Sequence, residues 1–320
     1  MMFGAWGEPD HDESVRIIHR AVDAGINFID TADVYSFGES EIIVGKALGG
    51  LDRDKIVLAT KVHSPMSGDP NEQGNSRRWI IAECENSLRR LGTDYIDLYQ
   101  IHRPRPDIDI DDTLSALSDL VHQGKIRYAG SSTFQPSQVV EAQWTAERRQ
   151  RERFRTEQPQ YSMLMRGIEA ELLPVCQRYG MGVLSWSPLA GGWLSGAFGD
   201  GRKNTSRRSA MLPERYDLTR PENQAKLAAV IELQKLADEV GLPLISLALA
   251  FVLSHPGVTS PIIGPRTMEQ LEAQLEATDI RLEASVLDRI DAIVPPGRNV
   301  GGEDPGWTPP AVEQAKLRRR

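Results

Sequence analysis

The chain has 320 residues, 40% of them hydrophobic and 26% charged, with a formal net charge of −8. These values suit a globular enzyme with a large core, and the acidic balance argues against a nucleic-acid partner, which calls for a basic face. Cys84 and Cys176 lie far apart within helical patterns and read as free thiols, without metal-ligand spacing or a disulfide framework. The longest apolar run, Ile245 to Leu253, is too short to span a bilayer, and no signal peptide opens the chain, so a cytoplasmic protein without membrane insertion is expected.

In chain order, Val15, Ile18 and Val22, followed by Gly25, mark an amphipathic helix with a glycine stop. A strand is predicted at Ile26 to Ile29, then a helix at Glu39 to Leu48, a strand at Ile56 to Thr60 and a helix at Ser76 to Leu91. A strand at Tyr95 to Ile101 precedes a helix from Asp111 to Gln123, and a strand at Ile126 to Gly130 precedes a helix from Ser137 to Arg149. Phe154 to Glu157 reads as strand, Ile168 to Tyr179 as helix and Gly182 to Trp186 as strand. The stretch from Leu189 to Arg220 has no apolar periodicity and reads as a functional loop. Helices at Glu222 to Val240 and Leu244 to Ser254, a strand at Thr259 to Ile263 and a helix at Thr267 to Leu275 complete the pattern, with an irregular tail over 295–320.

Seven strands alternating with helices, and no linker-rich break, favour one closed α/β barrel domain over a doubly wound sheet. A doubly wound dinucleotide fold should also carry a glycine fingerprint after an early strand, and none is present.

Four polar residues, Asp30, Tyr35, Lys61 and His102, stand just past the ends of predicted strands. At the C-terminal end of a parallel sheet they converge where α/β enzymes place their chemistry. An ammonium beside a phenol favours the phenolate, and a carboxylate holds that ammonium charged and in place. A neutral imidazole can orient a carbonyl oxygen toward the phenol. Together they form a device for protonating an oxygen as negative charge develops on it. Taken singly, Asp30 reads as a turn cap and His102 as a core histidine; the combination and spacing favour the site.

The segment Asn27-Phe28-Ile29-Asp30-Thr31-Ala32-Asp33-Val34-Tyr35, continuing through Gly38-Glu39-Ser40-Glu41, with Ala59-Thr60-Lys61-Val62 and Gln100-Ile101-His102-Arg103-Pro104, resembles the signatures of the aldo-keto reductase family. The resemblance covers about residues 3–294. It implies a (β/α)8 TIM barrel binding NADPH, rather than NADH, at its C-terminal mouth, with the four residues acting on a small-molecule carbonyl substrate: an aldehyde, ketone or sugar-like compound. It also implies that Ser132, Thr133 and Gln158 meet the nicotinamide amide, that Trp186 stacks on the ring, and that the run containing Ser187, Pro188, Leu189, Gly192, Leu194 and Gly196 follows the pyrophosphate. Gly264, Arg266, Gln270 and Gln274 fall at positions around the adenosine and its 2′-phosphate. No metal is implied.

The chain departs from the family pattern in several places. Thr133 stands where asparagine is common, Gly264 at a frequent lysine position and Gln270 at an arginine position. The resemblance therefore rests NADPH preference on Arg266, with the cluster Arg202, Lys203, Arg207 and Arg208 as a second source of charge. Met1-Met2-Phe3-Gly4 joins partway a pattern that closes the family's first barrel strand, so a barrel lacking all or most of that strand is expected. Relatives that serve as potassium-channel β subunits keep open the alternative of a nicotinamide-binding regulatory subunit. A third reading is an inactive, truncated barrel. The pattern carries no signal for oligomeric state.

Overall fold

The computed structural model describes residues 1–198, 212–302 and Val312. The Arg202, Lys203, Arg207 and Arg208 cluster and most of the predicted tail lie outside the described residues. Seven strands form one parallel sheet in sequence order: β1 (Phe28–Asp30), β2 (Val57–Val62), β3 (Ile96–Ile101), β4 (Ile126–Ser132), β5 (Phe154–Gln158), β6 (Gly182–Ser185) and β7 (Ser260–Pro261). Each strand end feeds a loop and then a helix on the outside, so every C-terminal strand end opens on the same rim.

Helix α1 (His11–Asp23) precedes β1, and its N-terminus is capped by Asp10, whose carboxylate accepts from the backbone amides of Asp12 and Glu13. Next in order come α2 (Glu39–Leu48), α3 (Arg77–Leu91), α4 (Ile110–His122), α5 (Pro136–Arg149) and α6 (Leu172–Arg178). Ser76 caps α3, and Gly92, at φ 64°, ends it in the left-handed region that glycine adopts without a Cβ clash. After β6 the chain forms α7 (Pro221–Glu239) and α8 (Leu244–Ser254), and β7 is followed by α9 (Met268–Leu275) and α10 (Ala284–Ile293).

Most predicted elements are present with bounds shifted by a residue or two. The predicted helix from Ile168 is split into a single 3₁₀ turn at Gly167–Glu169 and the short α6. The predicted last strand shrinks to two residues, where Pro261 lacks a ladder donor. Helix α10 has no counterpart among the predicted elements. The two ends of the predicted 189–220 loop are tied together by stacked aromatics: Trp193 lies on Phe198 with centroids 4.2 Å apart and on Tyr216 at 5.9 Å.

The main core fills the space between sheet and helices, where Ile43, Ile80, Leu117, Val139 and Val183 are fully buried. A second cluster joins α7 and α8 to Tyr161, Met163 and Leu164. Inside the curve of the sheet, Ala59, Leu98 and Leu184 pack with Phe28 and Ile262. That small apolar layer forms the floor of the site, because side chains two positions further along a strand point the same way. Phe28 is followed in this sense by Asp30, Ala59 by Lys61, and Leu98 by Gln100 and His102.

The sequence-first strand β1 and the sequence-last strand β7 are the two ends of the strand order among the described residues. The helical layer nevertheless meets across this seam, where Arg20 of α1 donates from Nε and Nη2 to the two oxygens of Glu272 on α9, at 2.7 and 2.9 Å. No single helix among the described residues is long and apolar enough to cross a membrane.

Candidate active site

Strand register brings the four predicted residues together. Residue Asp30 pairs with Ala59, and Lys61 pairs with Gln100. The chain then continues each ladder for one more bond, from the Thr31 amide to the Ala59 carbonyl and from the His102 amide to the Val62 carbonyl. The ammonium of Lys61 is 0% exposed and donates to Asp30 Oδ1 at 2.5 Å, to the Thr31 carbonyl at 2.8 Å and to the Tyr35 hydroxyl at 3.5 Å. Burial works against its charge, but the Asp30 carboxylate and Tyr35 outweigh that penalty and raise its pKa above the usual lysine range. Lys61 is therefore a permanent cation at neutral pH.

Tyr35 is carried by a turn with unusual backbone. Ser36, Phe37 and Gly38 follow it at φ 50°, 53° and 91°, three consecutive left-handed residues of which two bear side chains. Such positions cost on the order of 1 kcal/mol each and persist where surrounding contacts dictate them. Here the Ser36 hydroxyl accepts from the Trp6 amide at 3.1 Å, and Trp6 meets the exposed ring of Phe37 edge-on at 5.8 Å. The turn aims the phenol inward, where its ring meets His102 edge-on at 5.7 Å.

His102 is buried and Nδ1 has no hydrogen-bond partner among the described residues. Burial, reinforced by the positive charges of Arg103 and Lys61, holds its pKa well below the usual imidazole value, so the ring is neutral. A neutral imidazole has one N–H to donate, which suits a ligand oxygen rather than an anion.

The predicted nicotinamide contacts line the next sector of the rim. Gln158 ends β5 with its amide donating to Asp30 Oδ2 at 2.9 Å and to Gln100 Oε1 at 3.3 Å. The Ser132 hydroxyl donates to the Gln158 carbonyl at 2.9 Å, and Thr133 sits at φ 62°. Asparagine, which the resemblance associates with this position, tolerates such left-handed backbone better than a β-branched residue does. Arg103 bridges the two sectors, donating from Nη1 to the His102 carbonyl at 2.7 Å and to Thr133 Oγ1 at 2.8 Å.

A cleft beyond β6 is lined by Gln160, Trp186, Ser187, Ala190, Gly191, Arg215 and Lys226. Gln160 Oε1 and Trp186 Nε1 are buried there without partners among the described residues. Two cations, an indole and two unmet polar atoms fit a nucleotide cofactor. In the loop expected to follow the pyrophosphate, the amides of Ala190, Gly191, Gly192, Leu194 and Ser195 all bond within the loop itself. Pro188 and Leu194 are buried, while Leu189 and Gly196 are partly exposed in the same loop.

Arg266 and Gln270 sit at the start of α9, where the Arg266 amide donates to Gln270 Oε1 at 2.9 Å, and Gln274 is buried one turn further along. Gly264 has a role the resemblance did not supply: a Cβ there would lie 2.8 Å from Met2 Cγ. A larger residue there would require the Met2 side chain to move aside.

Sequence reasoning did not single out Gln100, Glu157, or the roles of Arg103, His63, Arg215 and Lys226. Gln100 was findable, since it shares strand parity with His102 inside an apolar strand. His63 Nδ1 donates to Asn75 Oδ1 at 2.8 Å, and burial lowers its pKa to about 4.

A parallel α/β sheet with a buried Lys–Asp pair, a phenol and a neutral imidazole at its C-terminal rim defines a barrel-type oxidoreductase site. The family model described as "Aldo/keto reductase family" matches residues 1–295, and the chain belongs to that family. It is 40% identical to "Uncharacterized oxidoreductase YrpG" of Bacillus subtilis strain 168 over 319 residues, covering 95% of this chain and 92% of that protein. It is 35% identical to "Aldo-keto reductase YhdN" of the same organism, covering 90% of this chain and 86% of that one. It is also 34% identical to a "Probable voltage-gated potassium channel subunit beta" of Arabidopsis thaliana, covering 92% of each. The chain is thus an oxidoreductase of a family that uses nicotinamide cofactors.

Proposed function

We propose that this enzyme is an NADPH-dependent reductase of small aldehydes, ketones or sugar-like carbonyls, with Tyr35 as proton donor. The observation that supports this most is the Lys61 ammonium, fully buried between the Asp30 carboxylate at 2.5 Å and the Tyr35 hydroxyl at 3.5 Å. A cation fixed at that distance stabilises the phenolate left behind when the phenol gives up its proton, which makes Tyr35 an effective general acid. The neutral His102 donates a hydrogen bond to the substrate carbonyl oxygen and turns it toward the phenol. Asp30 keeps Lys61 charged and in place.

A bound nicotinamide cofactor supplies the hydride, or accepts it in the reverse direction. Ser132, Thr133 and Gln158 hold its amide, Trp186 its ring, and the loop from Ser187 to Gly196 with Arg215 and Lys226 its pyrophosphate. Arg266, Gln270 and Gln274 take the adenosine end, with Arg266 at the start of α9 favouring the 2′-phosphate of NADPH. The test is a panel of carbonyl compounds assayed by oxidation of NADPH and of NADH. The reading predicts turnover of at least one class and a lower KM for NADPH; equal preference removes the assignment to Arg266.

A second reading draws on the name of the Arabidopsis relative: a cofactor-binding regulatory subunit for a membrane channel. Cofactor retained through purification, negligible turnover across the panel and stable capture by a channel protein would favour it over the free enzyme.

A further inference from the structure

Glu157 is 0% exposed near the C-terminal end of β5, between Thr156 and Gln158. Its parity is opposite to that of Gln158, so it faces away from the barrel interior and toward the helices. Buried carboxylates need partners, and those of Glu157 are specific. Oε2 accepts from the Ser131 hydroxyl at 2.5 Å, and Oε1 accepts from the Phe134 amide at 3.1 Å. These two donors bracket Ser132 and Thr133. From the opposite side, Arg103 holds Thr133 Oγ1 at 2.8 Å, and the Thr133 amide bonds to the Gln158 carbonyl. A β-branched residue at φ 62° relaxes unless it is held from both flanks.

We propose that Glu157 is a positioning residue for cofactor binding, clamping the Ser131–Phe134 turn so that Ser132 and Thr133 face the nicotinamide amide. The inference rests on the assignment of those two residues to the cofactor. The clamp survives a change in protonation. Burial raises the carboxyl's pKa to about 7, against the hydrogen bonds from Ser131 and the backbone and the charge of Arg103. The other titratable group coupled to it is the Cys176 thiol on α6, which burial keeps protonated, with a pKa pushed up to about 12. Once protonated, Glu157 donates to Ser131 Oγ, the Ser131 hydrogen passes to the Thr156 carbonyl at 3.3 Å, and Oε1 still accepts from Phe134. What matters is therefore two polar atoms in the right places, not the charge.

The test is the affinity of the full chain for NADPH and NADP⁺, read by fluorescence quenching in Glu157→Gln, Glu157→Ala and Ser131→Ala, with thermal melts of each apo-protein. A glutamine side chain keeps an acceptor for Phe134 and a donor for Ser131, so Glu157→Gln should bind within about twofold of wild type at pH 6 and pH 8. Glu157→Ala should bind about tenfold or more weakly while still folding, because the Phe134 amide loses its acceptor. If Glu157→Ala does not fold, Ser131→Ala decides, with an expected loss of about threefold or more. Wild-type protein that binds no NADPH contradicts the functional reading itself. Wild-type binding together with unchanged affinity in the folded alanine variant, or equal losses in Glu157→Gln and Glu157→Ala, overturns the positioning role.

Discussion

The side-chain amide of Gln158 donates to Asp30 at 2.9 Å, so a residue proposed to meet the nicotinamide amide also holds the carboxylate that pairs with Lys61. Gln158→Leu should then weaken cofactor binding and also lower kcat at saturating NADPH, each by about tenfold. A loss confined to the cofactor Kd, with kcat intact, would show that the bond to Asp30 does not matter for turnover.

The Lys61–Asp30 pair also bears on stability. Side-chain exposure is 0% for Lys61 and 7% for Asp30, and removing one partner of a buried pair leaves the other charge uncompensated, at a cost of about 3–5 kcal/mol. Asp30→Asn should lower the urea midpoint accordingly. Replacing both partners by Asp30→Asn with Lys61→Met should recover part of the loss, since no buried charge remains. A double variant less stable than the single one would contradict this account of the pair.

The buried carboxyls make stability fall as pH rises. Glu157 has its pKa raised by burial from 4.5 to about 7, so between those values the folded chain keeps a proton that the unfolded chain has released. This contribution is fully present below pH 4.5 and is lost as pH rises through 7. Asp33 adds to the effect in the same direction, raised well above its usual value by burial and by the nearby Glu41 and Glu83. Glu157→Gln should accordingly be more stable than wild type at pH 8, by up to roughly 3 kcal/mol, with the advantage vanishing toward pH 4.5. The check is the difference in Tm between the two proteins across that range.

His63 acts on the acid side. Its pKa is lowered by burial from 6.5 to about 4, so the unfolded chain binds the proton first as pH falls through that window and stability drops. Above pH 6.5 the group makes no pH-dependent difference. His63→Gln should flatten the loss of Tm between pH 6.5 and pH 4, with His102 left to account for part of the remaining slope.

The alternation of strands and helices was legible mainly in the first half, where short apolar runs end at a polar residue, as at Ile29 before Asp30 or Ile101 before His102. Strand parity then places Asp30, Lys61 and His102 on one side, and register brings them into contact. What was not legible depends on contacts between distant segments. Glu157 is one charged residue in a strand until the Phe134 amide is seen to meet it, and Gly264 reads as a missing lysine until Met2 is found against it. Helix α10 does carry a helical spacing, at Val286, Leu287 and Ile290, and was legible in principle.

The pairing of Lys61 with Tyr35 leads to one decisive measurement: the rate of NADPH oxidation with an active carbonyl substrate, compared between wild type and Tyr35→Phe, alongside the NADPH affinity of both. The account predicts cofactor affinity within about twofold and turnover reduced by about 10² to 10⁴. Turnover equal to wild type in a folded, cofactor-binding Tyr35→Phe would contradict it.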